Sequence, residues 1–355
     1  MNAKLSLDTY RLLGRSGLRV SPLSLGTMTF GSDWGWGADE AEARRIFDTY
    51  VDRGGNFIDT ASYYTNGSSE RLVGAFSADK RERLVLATKY SLATRPGDPN
   101  SGGNHRKNMV RTVEQSLARL KSDYIDLLYL HAWDGTTPVE EVLRAMDDLV
   151  RAGKVLYLGI SDTPAWQVSR MQALADVRGW SPLIALQIEY SLLQRTVERE
   201  LIPMARELGL GVIPWSPLGS GVLTGKYSQA DLEPEGEGVA VTRKGVARVS
   251  GSLSARGLGI ADVVKDVARS LERTPAQVAL AWTLHNPGVA SPIIGARTLR
   301  QLEDNLVALE VELPDDALAR LHEASAIEPG FPHDFLQTPA MQATMFGGVK
   351  LSPRR

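Results

Sequence analysis

The chain has 355 residues, 43% hydrophobic and 23% charged, a composition that excludes a disordered or fibrous protein. Forty Lys and Arg against 42 Asp and Glu leave a formal charge of −2, too balanced for a large electrostatic footprint on nucleic acid or acidic lipid. With no cysteine, disulfides, thiolate metal sites and thiol nucleophiles are excluded, and chemistry must come from oxygen, nitrogen or a cofactor.

The first eight residues, MNAKLSLD, lack the apolar run of a signal peptide, and no stretch approaches the roughly 18 apolar residues of a membrane span. The expectation is a soluble cytoplasmic protein with neither nucleic-acid nor membrane partners; self-association into a homo-oligomer is left open. In chain order, residues 10–20 (YRLLGRSGLRV) predict a hairpin turning between Gly14 and Gly17. Strand-like runs follow at 21–28, 56–61, 84–90, 124–131, 155–162, 184–191, 211–218 and 289–296. Most are nearly continuous in apolar character, as for strands covered on both faces.

Helical periods lie between them. Val110, Val113, Leu117 and Leu120 share one face; so do Val139, Val142, Leu143, Met146, Leu149 and Val150 in 138–153. Thr137-Pro138-Val139-Glu140 and Thr274-Pro275-Ala276-Gln277 predict a capping threonine, a first-turn proline and a reciprocal acid or amide. Gly153 and Gly209 suit the left-handed residue after a helix.

Eight strands alternating with helices, most repeats being roughly 30 residues long, predict an α/β protein, a (β/α)8 TIM barrel. A doubly wound sheet is the alternative, but no G-x-G-x-x-G opens a helix. The organisation is one domain over 1–355: hairpin 10–20, barrel 21–325 and C-terminal tail 326–355. Four prolines (Pro329, Pro332, Pro339 and Pro353) predict that the tail is irregular. A glycine-rich, charged insertion, 228–257, forms a long loop after the seventh strand, on the side where a barrel's active mouth lies.

Asp59, Tyr64, Lys89 and His131 fall at or just past the C-terminal ends of the second, third and fourth strands, so a barrel gathers them at one mouth. Singly, each has an ordinary structural reading. Together they suggest acid–base chemistry: a nearby ammonium lowers a tyrosine pKa from about 10, Asp59 fixes the lysine, and His131 donates to a substrate oxygen. Tyr63 competes with Tyr64, and spacing alone does not choose. Trp34, Trp36 and Trp133 follow strands one and four and are candidates for an apolar substrate wall, whereas Trp282 lies in an apolar helical stretch and reads as core. His105, His285, His322 and His333 have no ligand-like spacing, so no metal is expected. Arg297 lies just before a helix at 299–309, where a guanidinium and free backbone N–H groups favour a phosphate.

The run 54–64 (GGNFIDTASYY), followed by Gly67-Ser68-Ser69-Glu70, resembles the aldo-keto reductase family. The likeness continues through Ala87-Thr88-Lys89, Tyr124-Ile125-Asp126-Leu127 leading to His131, Gly153-Lys154-Val155 and Gly159-Ile160-Ser161. It returns at Trp215-Ser216-Pro217-Leu218 and Ile294-Gly295-Ala296-Arg297. The ordered series covers roughly residues 10–325 and, with 221–227 (GVLTGKY), is closer to the bacterial and potassium-channel-β-subunit branch.

The resemblance implies that Asp59, Tyr64, Lys89 and His131 are a catalytic tetrad, selecting Tyr64 over Tyr63. It implies that Ser161 and Gln187 hold a nicotinamide carboxamide and that Trp215 stacks on the ring. Ser216, Leu218, Ser220 and Lys226 would contact the pyrophosphate, and Gly295, Arg297, Gln301 and Asn305 the adenosine phosphate. Asp162 departs from the family pattern, where asparagine is usual; a carboxylate accepts but does not donate. The implied activity is NADPH-dependent reduction of aldehydes or ketones to alcohols, with NADP preferred over NAD and a small-molecule carbonyl substrate. A redox-sensing NADP-binding regulatory subunit with little turnover is the alternative. A Schiff-base lyase using Lys89 is a more distant one.

Overall fold

In the computed structural model the described residues are 5–233 and 242–349. A two-stranded antiparallel hairpin, β1 (Arg11–Leu12) and β2 (Arg19–Val20), precedes the barrel. The barrel strands are β3 (Ser24–Gly26), β4 (Phe57–Asp59), β5 (Val85–Tyr90), β6 (Ile125–Leu130), β7 (Val155–Ser161), β8 (Leu183–Glu189), β9 (Gly211–Trp215) and β10 (Ile293–Gly295). They form one parallel sheet in the order β10-β3-β4-β5-β6-β7-β8-β9. A parallel bridge between Val212 and Val289 links its ends: Val212 N–H donates to Gly288 O at 3.0 Å and Ala290 N–H to Val212 O at 2.8 Å. The near-closed ring is a (β/α)8 barrel, and the doubly wound alternative falls.

Successive strand residues face opposite sides, and the two sides have different partners. Phe57, Val85, Ala87, Leu127, Tyr129, Ala185 and Ile213 pack together inside the barrel. Ile58, Leu86, Leu128, Leu158, Leu186 and Val212 join the larger core shared with the helices. Leu13 and Val20 of the hairpin complete the inner cluster and are wholly buried. Gly14 permits this close approach: at φ +55°, a Cβ there would lie 2.3 Å from the Ile184 carbonyl oxygen.

The surrounding helices include α1 (Glu40–Asp52), α2 (Ser68–Ser77), α3 (Arg106–Leu120), α4 (Val139–Arg151), α5 (Ala165–Arg178) and α6 (Leu201–Glu207). In α4, Val139, Val142, Leu143, Met146 and Leu149 are buried, the face its periodicity predicts. Thr137 does not cap that helix. Its hydroxyl donates to Asp134 Oδ2 at 2.7 Å, and Pro138 takes the cap position. Gly153 and Gly209 have φ of +72° and +68° after their helices, as expected.

Later come α7 (Arg243–Val249), α8 (Ala255–Ser270), α9 (Pro275–His285), α10 (Leu299–Leu306) and α11 (Asp315–Ala324). Thr274 and Gln277 form the predicted capping box on α9, and Trp282 is buried at 2% exposure. The 228–257 segment is less loop-like than its composition suggests. Thr242 caps α7, whose Ala247 packs with Val222, Leu253, Leu258 and Ala261; residues 234–241 lie outside the described ones. The tail, read as irregular, carries α12 (His333–Gln337) and α13 (Pro339–Phe346), because Thr338 caps Met341 N–H and Pro339 opens the helix; residues 350–355 lie outside the described ones. No helix among the described residues is long and apolar enough to cross a membrane.

Candidate active site

Strand parity builds the site. Above the apolar interior layer, the next inward positions are Asp59 on β4, Lys89 on β5, Ser161 on β7, Gln187 on β8 and Trp215 on β9, with His131 just past β6. Lys89 Nζ donates to Asp59 Oδ1 at 2.5 Å, to the Thr60 carbonyl at 2.9 Å and to the Tyr64 hydroxyl at 3.1 Å. Lys89 and Asp59 are 0% and 1% exposed. Gln187 Nε2 donates to Asp59 Oδ2 at 2.8 Å, so both carboxylate oxygens are engaged.

Tyr64 is aimed by an unusual turn. Thr65, Asn66 and Gly67 have φ of +44°, +53° and +85°, and glycine relieves the strain at the third position. Thr65 Oγ1 donates to Phe30 O at 2.8 Å and accepts from Ser69 N–H at 3.0 Å. The buried Ser69 hydroxyl lies 2.8 Å from both Thr27 Oγ1 and Thr60 Oγ1. Tyr63 lines the same cleft but packs on Trp34, ring centroids 5.8 Å apart, whereas Tyr64 is the one that meets Lys89, which separates the two tyrosines.

On the helix side of β5, Thr88 Oγ1 donates to Glu70 Oε1 at 2.6 Å, and Arg119 Nε donates to Glu70 Oε2 at 2.6 Å. Glu70 is wholly buried. It ties α2, α3 and the residue before Lys89 together, a support that sequence reading left unassigned although Glu70 closes the Gly67–Ser69 run.

Electrostatics favour a charged lysine and a neutral phenol. Burial pushes Lys89 down, but Asp59 and the tyrosine oxygen outweigh it and leave its pKa above the usual range. Burial raises the Tyr64 pKa against the opposing pull of Lys89. The expected lowering of Tyr64 is therefore not found, because burial outweighs the pull of Lys89 and the Asp59 charge offsets part of that pull. Burial, helped by the Lys89 charge, holds His131 down at about 3, and its Nδ1 is buried without a hydrogen-bond partner. The imidazole is neutral, with its ring edge-on to Tyr64 at 5.9 Å.

These groups line one end of a cleft of about 670 Å3, except Lys89, which lies behind Tyr64 and Asp59. Trp34, Trp36 and Tyr63 form an aromatic wall there, with Met28 and Leu92. Trp133 is not among the lining residues; it packs, partly buried, on the main core. Ser161, Gln187, Trp215, Ser216, Leu218, Ser220 and Lys226 line the cleft as well, and so do Gly295, Arg297, Gln301 and Asn305 of β10, α10 and the loop between them. Thr274 and Asp304 also line it. Thr274 is more than a helix cap: its hydroxyl also donates to Asp304. Val246 brings α7 of the insertion into the wall.

The residues fit a long, partly anionic cofactor. Ser161 Oγ is buried without a partner, available for an amide. Ser216 and Ser220, at φ +52° and +53°, and Lys226 supply hydroxyls and a cation to the cleft. At α10, Leu299 N–H is taken by Glu42 Oε1 at 2.7 Å, and Gln301 N–H by the Thr298 hydroxyl. The N-terminal amides are thus less free than expected, leaving the Arg297 guanidinium as the main anion-directed group there. Asp162, at φ +37°, accepts from Trp215 Nε1 at 3.0 Å.

The aldo/keto reductase family model matches residues 22–326. The chain is 38% identical over 345 residues to norsolorinic acid reductase of Aspergillus flavus, covering 94% of this chain and 85% of that protein. It is 40% identical over 326 residues to the uncharacterized oxidoreductase YrpG of Bacillus subtilis, covering 88% and 95%. With an aryl-alcohol dehydrogenase of Pestalotiopsis microspora it shares 35% over 358 residues, covering 98% and 88%. A barrel with this ring of inward polar residues and this extent of similarity belongs to the aldo/keto reductase family.

Proposed function

We propose that the protein reduces aldehydes or ketones to alcohols with NADPH, and that Tyr64 is the general acid. The observation that carries this reading is Lys89 Nζ held between Asp59 and the Tyr64 hydroxyl at the end of the cleft. A bound nicotinamide supplies hydride to the carbonyl carbon. Tyr64, kept protonated by burial, gives its proton to the carbonyl oxygen as charge builds there. Lys89 stabilises the phenolate left behind, and Asp59 and Gln187 hold the ammonium in register. Neutral His131 donates to the same oxygen and orients it.

The Trp34, Trp36 and Tyr63 wall supports a flat, apolar carbonyl compound. The names of two relatives, a norsolorinic acid reductase and an aryl-alcohol dehydrogenase, support the same class. Arg297 supports binding of a 2′-phosphate, hence NADPH over NADH. A Schiff base at Lys89 is disfavoured, since that ammonium is buried, charged and paired.

The test is a fluorescence titration with NADPH and NADH, followed by an aldehyde panel read at the reduced cofactor's absorbance. Tyr64→Phe should abolish turnover and retain NADPH binding; retained turnover removes Tyr64 from its role. Tight NADPH binding without turnover on any aldehyde would favour the regulatory-subunit reading.

A further inference from the structure

Beside the ring of inward polar groups lies a pair of carboxyls that the reaction above does not use. Asp162 follows β7 directly, and its carboxylate is fixed by the Trp215 indole N–H at 3.0 Å. It lines the cleft next to Ser161, whose hydroxyl has no partner. Glu189, at the end of β8, pairs in register with Trp215 of β9. Burial raises both carboxyls, Glu189 to about 6, with the Asp162 charge adding to the shift at Glu189. The other titratable groups facing this corner are Lys89, already paired with Asp59, together with protonated Tyr64 and neutral His131. Lys89 offsets part of the Asp162 charge but is already paired with Asp59, so among the described residues the corner carries an excess of negative charge.

Resting on the assignment of a nicotinamide to this cleft, we propose that Asp162, reinforced by Glu189, makes the site discriminate between the two redox forms of the cofactor. The reduced ring is neutral and the oxidised ring is a cation. A fixed negative charge stabilises the second and is nearly indifferent to the first. Tighter binding of the oxidised form makes the bound couple more strongly reducing, so the pair tilts the protein toward carbonyl reduction. An asparagine keeps the acceptor oxygen for Trp215 but carries no charge, so the substitution isolates the electrostatic effect.

The test measures dissociation constants of NADP+ and NADPH by calorimetry, without turnover, for wild type, Asp162→Asn and Glu189→Gln. Asp162→Asn should weaken NADP+ about tenfold and NADPH less than about threefold, a positive shift of about 15–30 mV in the bound couple. Glu189→Gln, at a partly exposed position, should shift the ratio in the same direction by about threefold. Equal weakening of both nucleotides in Asp162→Asn overturns the proposal, because it marks a contact common to both forms. An unchanged ratio in both variants overturns it too. If wild type binds neither nucleotide, the cofactor reading itself fails; if wild type binds both and the ratio does not respond, only the role of Asp162 fails.

Discussion

The Gln187 side-chain amide donates to Asp59 Oδ2 at 2.8 Å and so joins β8 to β4. These strands lie four positions apart in an eight-strand ring, and the bond spans the barrel mouth. Removing it leaves a buried carboxylate oxygen without a partner. Gln187→Leu should cost about 1–3 kcal/mol in denaturant unfolding and lower kcat through a less firmly held lysine. Unchanged stability would show that the bond is replaceable.

Lys89 and Asp59 are buried together, so each is costly without the other. Lys89→Met should destabilise by about 3–5 kcal/mol, since it strands the carboxylate. The double variant Lys89→Met/Asp59→Asn should recover much of that loss while remaining inactive. Additive effects in the double-mutant cycle would contradict the coupling.

His131 is held neutral at about 3, far below its ordinary value, first by burial and then by Lys89. Its depressed pKa makes the unfolded chain the better proton acceptor. The stability contribution is therefore complete above about pH 6.5 and is lost as pH falls toward 3. The loss reaches about 3 kcal/mol by pH 4. In His131→Asn, melting temperature should decline less steeply between pH 6.5 and 4 than in wild type.

Glu189 has the opposite sign. Burial, with Asp162, raises it to about 6, so the native state resists its ionisation. Its favourable contribution is full below the unfolded value near 4.5 and lost as pH rises through 6. Glu189→Gln should stabilise by about 1 kcal/mol at pH 7.5, allowing for solvent screening, and by almost nothing at pH 4. Equal gains at both pH values would point to packing instead of charge.

The barrel was legible because its strands are covered on both faces: 124–131 and 155–162 are apolar almost throughout, and β6 and β7 lie within them. The ring of polar side chains was legible from the positions of Asp59, Lys89 and His131 at strand ends. Local signals failed where a distant partner competed. Thr137 has the sequence of a helix cap, but Asp134 takes its hydroxyl. The Tyr64 pKa moves up because burial and the Asp59 pairing of Lys89 act together, and neither is written in spacing. Glu42 closing an amide of α10 from 257 positions away has no local trace at all.

Inward and outward residues alternate along β5: Ala87 and Lys89 face the interior, while Thr88 reaches Glu70 on the helix side. One residue gained or lost within that strand would exchange the two sets. The ammonium would turn into the hydrocarbon beneath the helices and a threonine would enter the mouth, although composition and hydrophobicity would hardly change. The chemistry thus depends on a count along the strand, and a deletion there should be far more damaging than most replacements of its side chains.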